Sequence, residues 1–316
     1  SAEGSSMDEF EKYAFDLRGY LVVRNALTPE QVKSLSDRLN EERGAAASVS
    51  SDPYNFGSDR LEYTSEHTPA WSTPSLLEWG GPYLDLIDLP SIAPYLETLL
   101  GKHYRLDHDY LKIHDASQPG KLYLHGGGQG AGGGTDMDLV GGGTDGGQCY
   151  YRFSNGKFYN GLLAVAFELS DVAEGEGGFA CVAGSHKVNF GLPDAWRIAQ
   201  TQADIPSIVD RVAAKAGDAI IFTEACAHGT VPWEGAGERR TIFYKYTPHA
   251  VAWSPCYYNS DLYDGLTDAQ IEMLQPPSSF GPHTHTRGIW ARAQAEHAEV
   301  VRLRAELAAR RGDGER

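Results

Sequence analysis

From residue 122 to residue 246 the chain reads as a series of short apolar runs broken by turn formers, and few folds accept that pattern. The runs are Leu122–Gly126, Tyr150–Phe153, Lys157–Leu169, Gly178–Ala183, Ala219–Thr223 and Arg239–Tyr246. Asn155-Gly156 separates two of them and is a two-residue hairpin signal. Upstream the periodicity is helical over Met7–Leu17 and Pro90–Leu100. A further helix is expected from Pro29 to about Arg43, with Thr28 as its cap and Leu35 and Leu39 on one face. Tyr20–Val23 and Arg105–His114 read as strands, Asp194–Gln200 as a helical insertion and Ile289–Arg311 as a terminal helix. Short strands with frequent turns and flanking helices predict a mainly β chain closed into an antiparallel jelly-roll barrel. At about 150 residues per domain two domains are allowed. The expected organisation is nonetheless one domain over 1–316, with a mainly helical part at 1–104, a barrel core at 105–250 and a C-terminal extension at 251–316.

Twelve of the 22 residues from Gly126 to Gly147 are glycine, which excludes a regular helix or strand there. The segment is expected to be a long loop, either a lid ordered by ligand or an insertion without a role. Gly128-Gln-Gly130-Ala-Gly-Gly133 matches a dinucleotide-loop spacing through glycine density alone, and no helix pattern follows it.

Charge and cysteine content narrow the partners. Lys and Arg number 27 against 43 Asp and Glu, a net charge of −16. Such a chain repels nucleic-acid polymers and anionic membranes, and disfavours an acidic carrier protein, so a small free molecule is the expected partner. The four cysteines, 149, 181, 226 and 256, form no close pair and read as free thiols of a reducing cytoplasm. No apolar run is long enough for a membrane helix.

Two histidines and an arginine carry the chemistry. His125 ends the first barrel strand candidate, His228 follows Ala219–Thr223, and Arg239 lies 11 residues beyond His228 at the head of the last strand. Neutral imidazoles suit Fe(II), and a guanidinium fork suits a carboxylate. Arg240 falls on the opposite face of the same strand.

The surrounding blocks are Leu169-Ser-Asp171, Gly177-Gly-Phe179, Ala183-Gly-Ser-His-Lys187, Ala216-Gly-Asp-Ala-Ile-Ile-Phe222 and His228-Gly-Thr230. With Arg239, they resemble the phytanoyl-CoA dioxygenase-like family of Fe(II)- and 2-oxoglutarate-dependent oxygenases over about 120–246. The resemblance implies a double-stranded β-helix (jelly-roll, cupin-like) fold. It implies His125 and His228 as iron ligands, Arg239 and Thr230 as the anchor of the 2-oxoglutarate 5-carboxylate, and O2 as co-substrate.

One departure from that family stands out. Its first motif is His-x-Asp, with the Asp on the metal, whereas this chain has His125-Gly-Gly127. The remaining His-x-acid pair, His297-Ala-Glu299, lies in the terminal helix segment, with no barrel after it. Gly127 would leave room for chloride, as in the family's His-x-Gly or His-x-Ala halogenases. The first expectation is therefore chlorination of an unactivated aliphatic carbon of a free natural-product or nucleotide-type molecule. A hydroxylase with a displaced carboxylate is the alternative, with Asp136, Asp138 and Asp145 of the glycine-rich loop as candidates. A non-catalytic cupin-like binding protein is the third reading.

Further residues are weighed against structural roles. Glu224 precedes His228 by four and, were the strand to continue, would face inward as a substrate contact or the partner of an Arg. Lys112, Arg152 and Trp233 are candidate substrate contacts. His186 is expected to hold a turn, and His283-Thr-His285 to lie in a solvated loop.

Overall fold

The computed structural model describes residues 7–46, 55–57, 61–63, 69–71, 75–126, 150–254, 258–279, 299 and 302–303. Helix α1 (Glu9–Arg18) opens on a capping box in which Asp8 and Glu11 each accept the other's backbone N–H, and it ends at Gly19 with φ 83°. Strand β1 (Tyr20–Val23) follows, then α2 (Pro29–Ala46), whose start is held by the reciprocal Thr28–Gln31 box. Leu35 and Leu39 are buried, as their spacing predicts. Three short strands come next: β2 (Asn55–Gly57), β3 (Leu61–Tyr63) and β4 (Pro69–Trp71). Helix α3 (Ala93–Leu100) begins three residues later than the predicted Pro90, after a turn at Leu89–Ile92.

Next in the chain are β5 (Tyr104–His114), β6 (Leu122–Tyr123), β7 (Tyr151–Ser154), β8 (Lys157–Asn160), β9 (Leu163–Glu168) and β10 (Gly178–Cys181). After the short helix α4 (Asp194–Arg197) come β11 (Ile198–Ala199), β12 (Asp210–Arg211), β13 (Ala219–Thr223), β14 (His228–Val231) and β15 (Arg239–Pro248), then helix α5 (Asp268–Met273). Six strands form one antiparallel sheet in the order β1-β13-β9-β15-β5-β2. Facing it are β12-β10-β14 and β11-β6, linked by the His125–His228 bridge. The chain folds as a jelly roll.

Strand β9 is buried along its whole length because both of its faces are covered. Leu163, Val165 and Phe167 pack with the helices in the larger core. Ala164 and Ala166 face the barrel interior with Phe179, Phe222 and Phe243. This alternation decides which side chains of each strand can reach a site inside the barrel.

Three expectations are refined. Lys157–Leu169 is two strands, interrupted at Gly161, whose N–H bonds the Tyr150 carbonyl. The strand from Leu122 ends at Tyr123. The next N–H, of Leu124, turns to the Arg197 carbonyl, and Gly126 takes φ 73°. The Asn155-Gly156 turn has the positive φ values, 53° and 72°, that its sequence requires. The glycine-rich segment and most of the predicted terminal helix lie outside the described residues, although 299, 302 and 303 are helical. No described helix is long and apolar enough to cross a membrane.

Candidate metal centre

The site forms where β6, the β13–β14 turn and β15 meet. Strand β13 ends at Thr223, and the chain turns through Glu224–Ala227 into β14. The turn is closed by Cys226 N–H on the Thr223 carbonyl (3.0 Å), and Glu224 N–H bonds the Leu162 carbonyl (3.0 Å). From behind, Ala227 N–H donates to Ser185 Oγ at 2.7 Å and Val182 N–H to the Ala227 carbonyl at 2.8 Å. The Gly-Ser-His-Lys block thus clamps the turn. His186 lies beside Cys226 of the turn, with Nε2 3.0 Å from the Asp16 carbonyl and its ring edge-on to Tyr151, the turn-holding role its sequence setting predicts.

His125 and His228 exchange both backbone hydrogen bonds, at 3.0 and 2.9 Å, and their ring centroids lie 4.2 Å apart. His125 Nδ1 is 3.0 Å from the Tyr123 carbonyl and His228 Nδ1 is 2.8 Å from the Cys226 carbonyl. A carbonyl only accepts, so each Nδ1 carries the proton and each Nε2 presents a lone pair. Gly126 permits this approach. A Cβ there would sit 2.4 Å from the Glu224 carbonyl oxygen and 2.7 Å from that of Cys226.

Glu224 completes the group. One of its oxygens is 3.5 Å from His228 Nε2, and donor atoms of His125, Glu224 and His228 all lie within 4.8 Å of one another. Among the described residues this is the one cluster of His, Cys, Asp and Glu able to hold a metal ion. The other oxygen of Glu224 pairs with the Lys245 ammonium, not with the Arg expected from the sequence. Lys245 lies on the inward face of β15, buried against the rings of Phe222, Tyr110 and Phe243 at 5.2–6.0 Å.

The electrostatics suit a divalent cation. Burial works to raise the pKa of Glu224, but Lys245 and the two histidines outweigh it and hold the carboxyl down at about 2. Burial lowers His228 to about 3, against the opposing pull of Glu224, and lowers His125 as well. The cluster is thus one carboxylate and two neutral imidazoles at neutral pH, a donor set that suits iron.

Across the barrel, Arg239 Nη2 donates to Glu168 Oε1 at 2.5 Å, and Thr241 Oγ1 donates to the other Glu168 oxygen at 2.7 Å. Arg239 is 1 % exposed, and its Nε and Nη1 are buried with no hydrogen-bond partner. Two orphaned guanidinium nitrogens in a dry interior are a receptor for an anion. The guanidinium lies against β10, for a Cβ on Gly178 would be 3.5 Å from Arg239 Nε. Thr230, two residues past His228 and so on the same face of β14, pairs with Phe179 beside Gly178. Arg240 faces the other way and binds Glu238. His114 stands opposite Arg239 in the ladder with a buried, unpartnered Nδ1. Its pKa is lowered to about 4 by burial, with Arg239 adding to the effect.

Lys112 faces Thr241 across the ladder, its Nζ 5.1 Å from the Tyr110 ring centroid. The other two candidate substrate contacts have partners within the chain. Arg152 is exposed on the β7–β8 hairpin, stacked over Tyr159 at 4.7 Å, because that hairpin forms its own two-stranded sheet off the barrel. Trp233 packs into the β14–β15 connection, with Nε1 bonded to the Gly237 carbonyl and its rings where a side chain at Gly235 would lie. Gly127, Asp136, Asp138, Asp145, His283 and His285 lie outside the described residues. The sequence suggested an inward Glu224 only if the strand continued, as a substrate contact or the partner of an Arg; the strand stops at Thr223, and the turn brings Glu224 beside both histidines. Lys245 and Glu168 were not singled out, and their inward register on β15 and β9 was the available signal.

Comparison with known proteins bears on the fold. Residues 145–241 match the family model for phytanoyl-CoA dioxygenase (PhyH). No curated protein matches the chain. HygX from Streptomyces hygroscopicus, solved with nickel and 2-oxoglutarate bound, superposes with a TM-score of 0.61 at 20 % identity, covering 81 % of this chain and 94 % of that one. AviO1 from Streptomyces viridochromogenes Tue57 gives 0.50 at 20 % identity, covering 79 % and 100 %. EctD from S. alaskensis gives 0.51 at 15 % identity, covering 79 % and 82 %. At these identities the structural likeness speaks to the fold. With the family match it supports a PhyH-like oxygenase superfamily scaffold.

Proposed function

We propose that this protein is an Fe(II)- and 2-oxoglutarate-dependent oxygenase that hydroxylates a free small molecule, with iron held by His125, Glu224 and His228. The observation that carries the reading is the gathering of two histidines and a carboxylate whose donor atoms lie within 4.8 Å of one another. Two histidines and one carboxylate with open positions are the donor set of non-haem iron oxygenases. The carboxylate would come from the turn before the second histidine, not from the position two residues after the first.

Iron and 2-oxoglutarate supply the oxidising chemistry when bound. The chain's own residues position them. The Tyr123 and Cys226 carbonyls fix the tautomers of the histidines. Arg239, with Thr230, would take the distal carboxylate of 2-oxoglutarate on its two unpartnered nitrogens, with Glu168 holding the third. Phe179, Phe222 and Phe243 keep the interior dry. HygX, which shares the fold, has been solved with iron, and with nickel, 2-oxoglutarate and hygromycin B, which supports the metal, the co-substrate and a free small-molecule substrate here. The acidic surface favours the same kind of partner.

Chlorination at a vacancy beside Gly127 is the second reading. It requires the metal to carry no protein carboxylate, and Glu224 beside both histidines weighs against it. The ion pair with Lys245 is what favours it, for a Glu224 kept wholly on Lys245 would leave a two-histidine metal open to chloride. Anaerobic Co(II) titration separates the two. Under the proposed reading the protein binds one ion, and His125→Ala, His228→Ala and Glu224→Ala each weaken binding by about 100-fold or more. Glu224→Ala binding Co(II) as the parent does, with chloride raising its affinity, would overturn the triad and leave halogenation standing.

A further inference from the structure

Among the described residues Lys245 is the one buried cation in contact with the candidate metal ligands, and the roles assigned above leave it unused. Building on the His125–Glu224–His228 triad, we propose that Lys245 is a positioning residue that keeps one oxygen of Glu224 off the metal and so preserves an open coordination position.

Were iron bound with six ligands, a triad using one atom each and a chelating 2-oxo acid would fill five positions and leave one open. A carboxylate that binds through both oxygens takes that last position. A free carboxylate can bind a metal through one oxygen or both, so its mode depends on what else holds it. Here the two oxygens are divided: Oε1 is bonded to Lys245 Nζ, and Oε2 faces His228 Nε2 at 3.5 Å. Lys245 cannot easily let go. Its side chain is 6 % exposed, walled by Phe222, Tyr110 and Phe243, and an ammonium cut off from both water and a carboxylate is costly. Its strand position is fixed as well, opposite His108 on β5 and Ala164 on β9. The same ammonium repels an incoming divalent cation, so the open position is kept at the expense of metal affinity.

Two readouts test this without turnover: Co(II) affinity, and binding of nitric oxide to the anaerobic Fe(II)–2-oxoglutarate protein followed by electron paramagnetic resonance. Lys245→Met is expected to bind Co(II) about tenfold more tightly, since repulsion is removed and both carboxylate oxygens are freed. It is also expected to lose nitric oxide binding at least tenfold. Lys245→Gln, which keeps an N–H for Oε1 without the charge, should retain nitric oxide binding. Circular dichroism checks that both variants fold. Weaker Co(II) binding by Lys245→Met, or undiminished nitric oxide binding, would overturn the proposal. Glu224→Gln run in parallel isolates the underlying reading. If it binds Co(II) as the parent does, the triad itself fails; if it loses Co(II) while Lys245→Met behaves as the parent, only the role of Lys245 fails.

Discussion

Gly126→Ala tests how the metal centre is assembled, because nothing is lost from the ligand set and only one methyl group is added. The new Cβ would lie 2.4 Å from the Glu224 carbonyl oxygen, where real Cβ contacts respect 3.0 Å, so something must move by 3.0 − 2.4 = 0.6 Å or more. The nearest atoms are backbone carbonyls of the turn that carries Glu224 and His228, and His228 Nδ1 at 3.2 Å is next. Overpacking of this kind costs about 1–3 kcal/mol. Alanine at φ 73° adds about 1–2 kcal/mol. The sum, about 2–5 kcal/mol, corresponds to a fall in Tm of about 3–8 °C for the metal-free protein. Displacing the Cys226 carbonyl also loosens the hydrogen bond that orients His228, so Co(II) affinity should fall about 10- to 100-fold. Gly237→Ala is the control. It has the same φ of 73° but open space around the added methyl, so it carries the strain without the clash and should leave Co(II) affinity unchanged. Calorimetry and anaerobic titration of both variants decide the matter. A Gly126→Ala protein that matches Gly237→Ala in Tm and the parent in affinity would refute the packing argument.

Three further predictions follow from the same geometry. Arg239→Lys keeps a charge for Glu168 but loses the fork, and should raise the 2-oxoglutarate Kd about 10- to 100-fold in isothermal titration while Co(II) affinity stays constant; an unchanged Kd would remove Arg239 from the co-substrate site. His228 and His114 are held neutral when folded, near 3 and 4 against an ordinary 6.5, so the unfolded chain binds more protons between those values. Stability of the metal-free protein is therefore full above pH 6.5 and falls as the pH drops, by about 1.4 kcal/mol per pH unit for each group, and urea midpoints should show His228→Gln with a shallower slope than the parent. Ser185→Ala removes the acceptor of the buried Ala227 N–H and should cost about 1–3 kcal/mol in urea unfolding, with Co(II) affinity falling too; an unchanged midpoint would mean the clamp is not formed in solution.

Much of the barrel was legible because its rules are local. Alternation put Arg239 inward and Arg240 outward, and Asn155-Gly156 announced a hairpin whose backbone takes the expected left-handed values. The two histidines could be read from their strand settings and the family resemblance together. Glu224 could not be placed from periodicity, because it sits in a turn and not on the strand that precedes it. A turn brings residues four apart to one point by backbone closure that alternation does not describe. The settings of Arg152 and Trp233 were hidden for a related reason. Each lies next to a barrel strand in sequence, but a detached hairpin carries one away and a strand connection buries the other. The Lys245–Glu224 pair spans 21 residues and two strands, so only the sheet register brings it together.

The central claim is that Glu224 supplies the carboxylate of the metal centre. It is tested most directly by an anaerobic crystal structure of the protein with Fe(II), 2-oxoglutarate and bromide, with anomalous maps at the iron and bromine edges. The account predicts iron bonded to His125 Nε2, His228 Nε2 and one oxygen of Glu224, a 2-oxoglutarate carboxylate on Arg239, and no bromide at the metal. Bromide or a carboxylate of the glycine-rich loop on the iron, with Glu224 left on Lys245 alone, would contradict it.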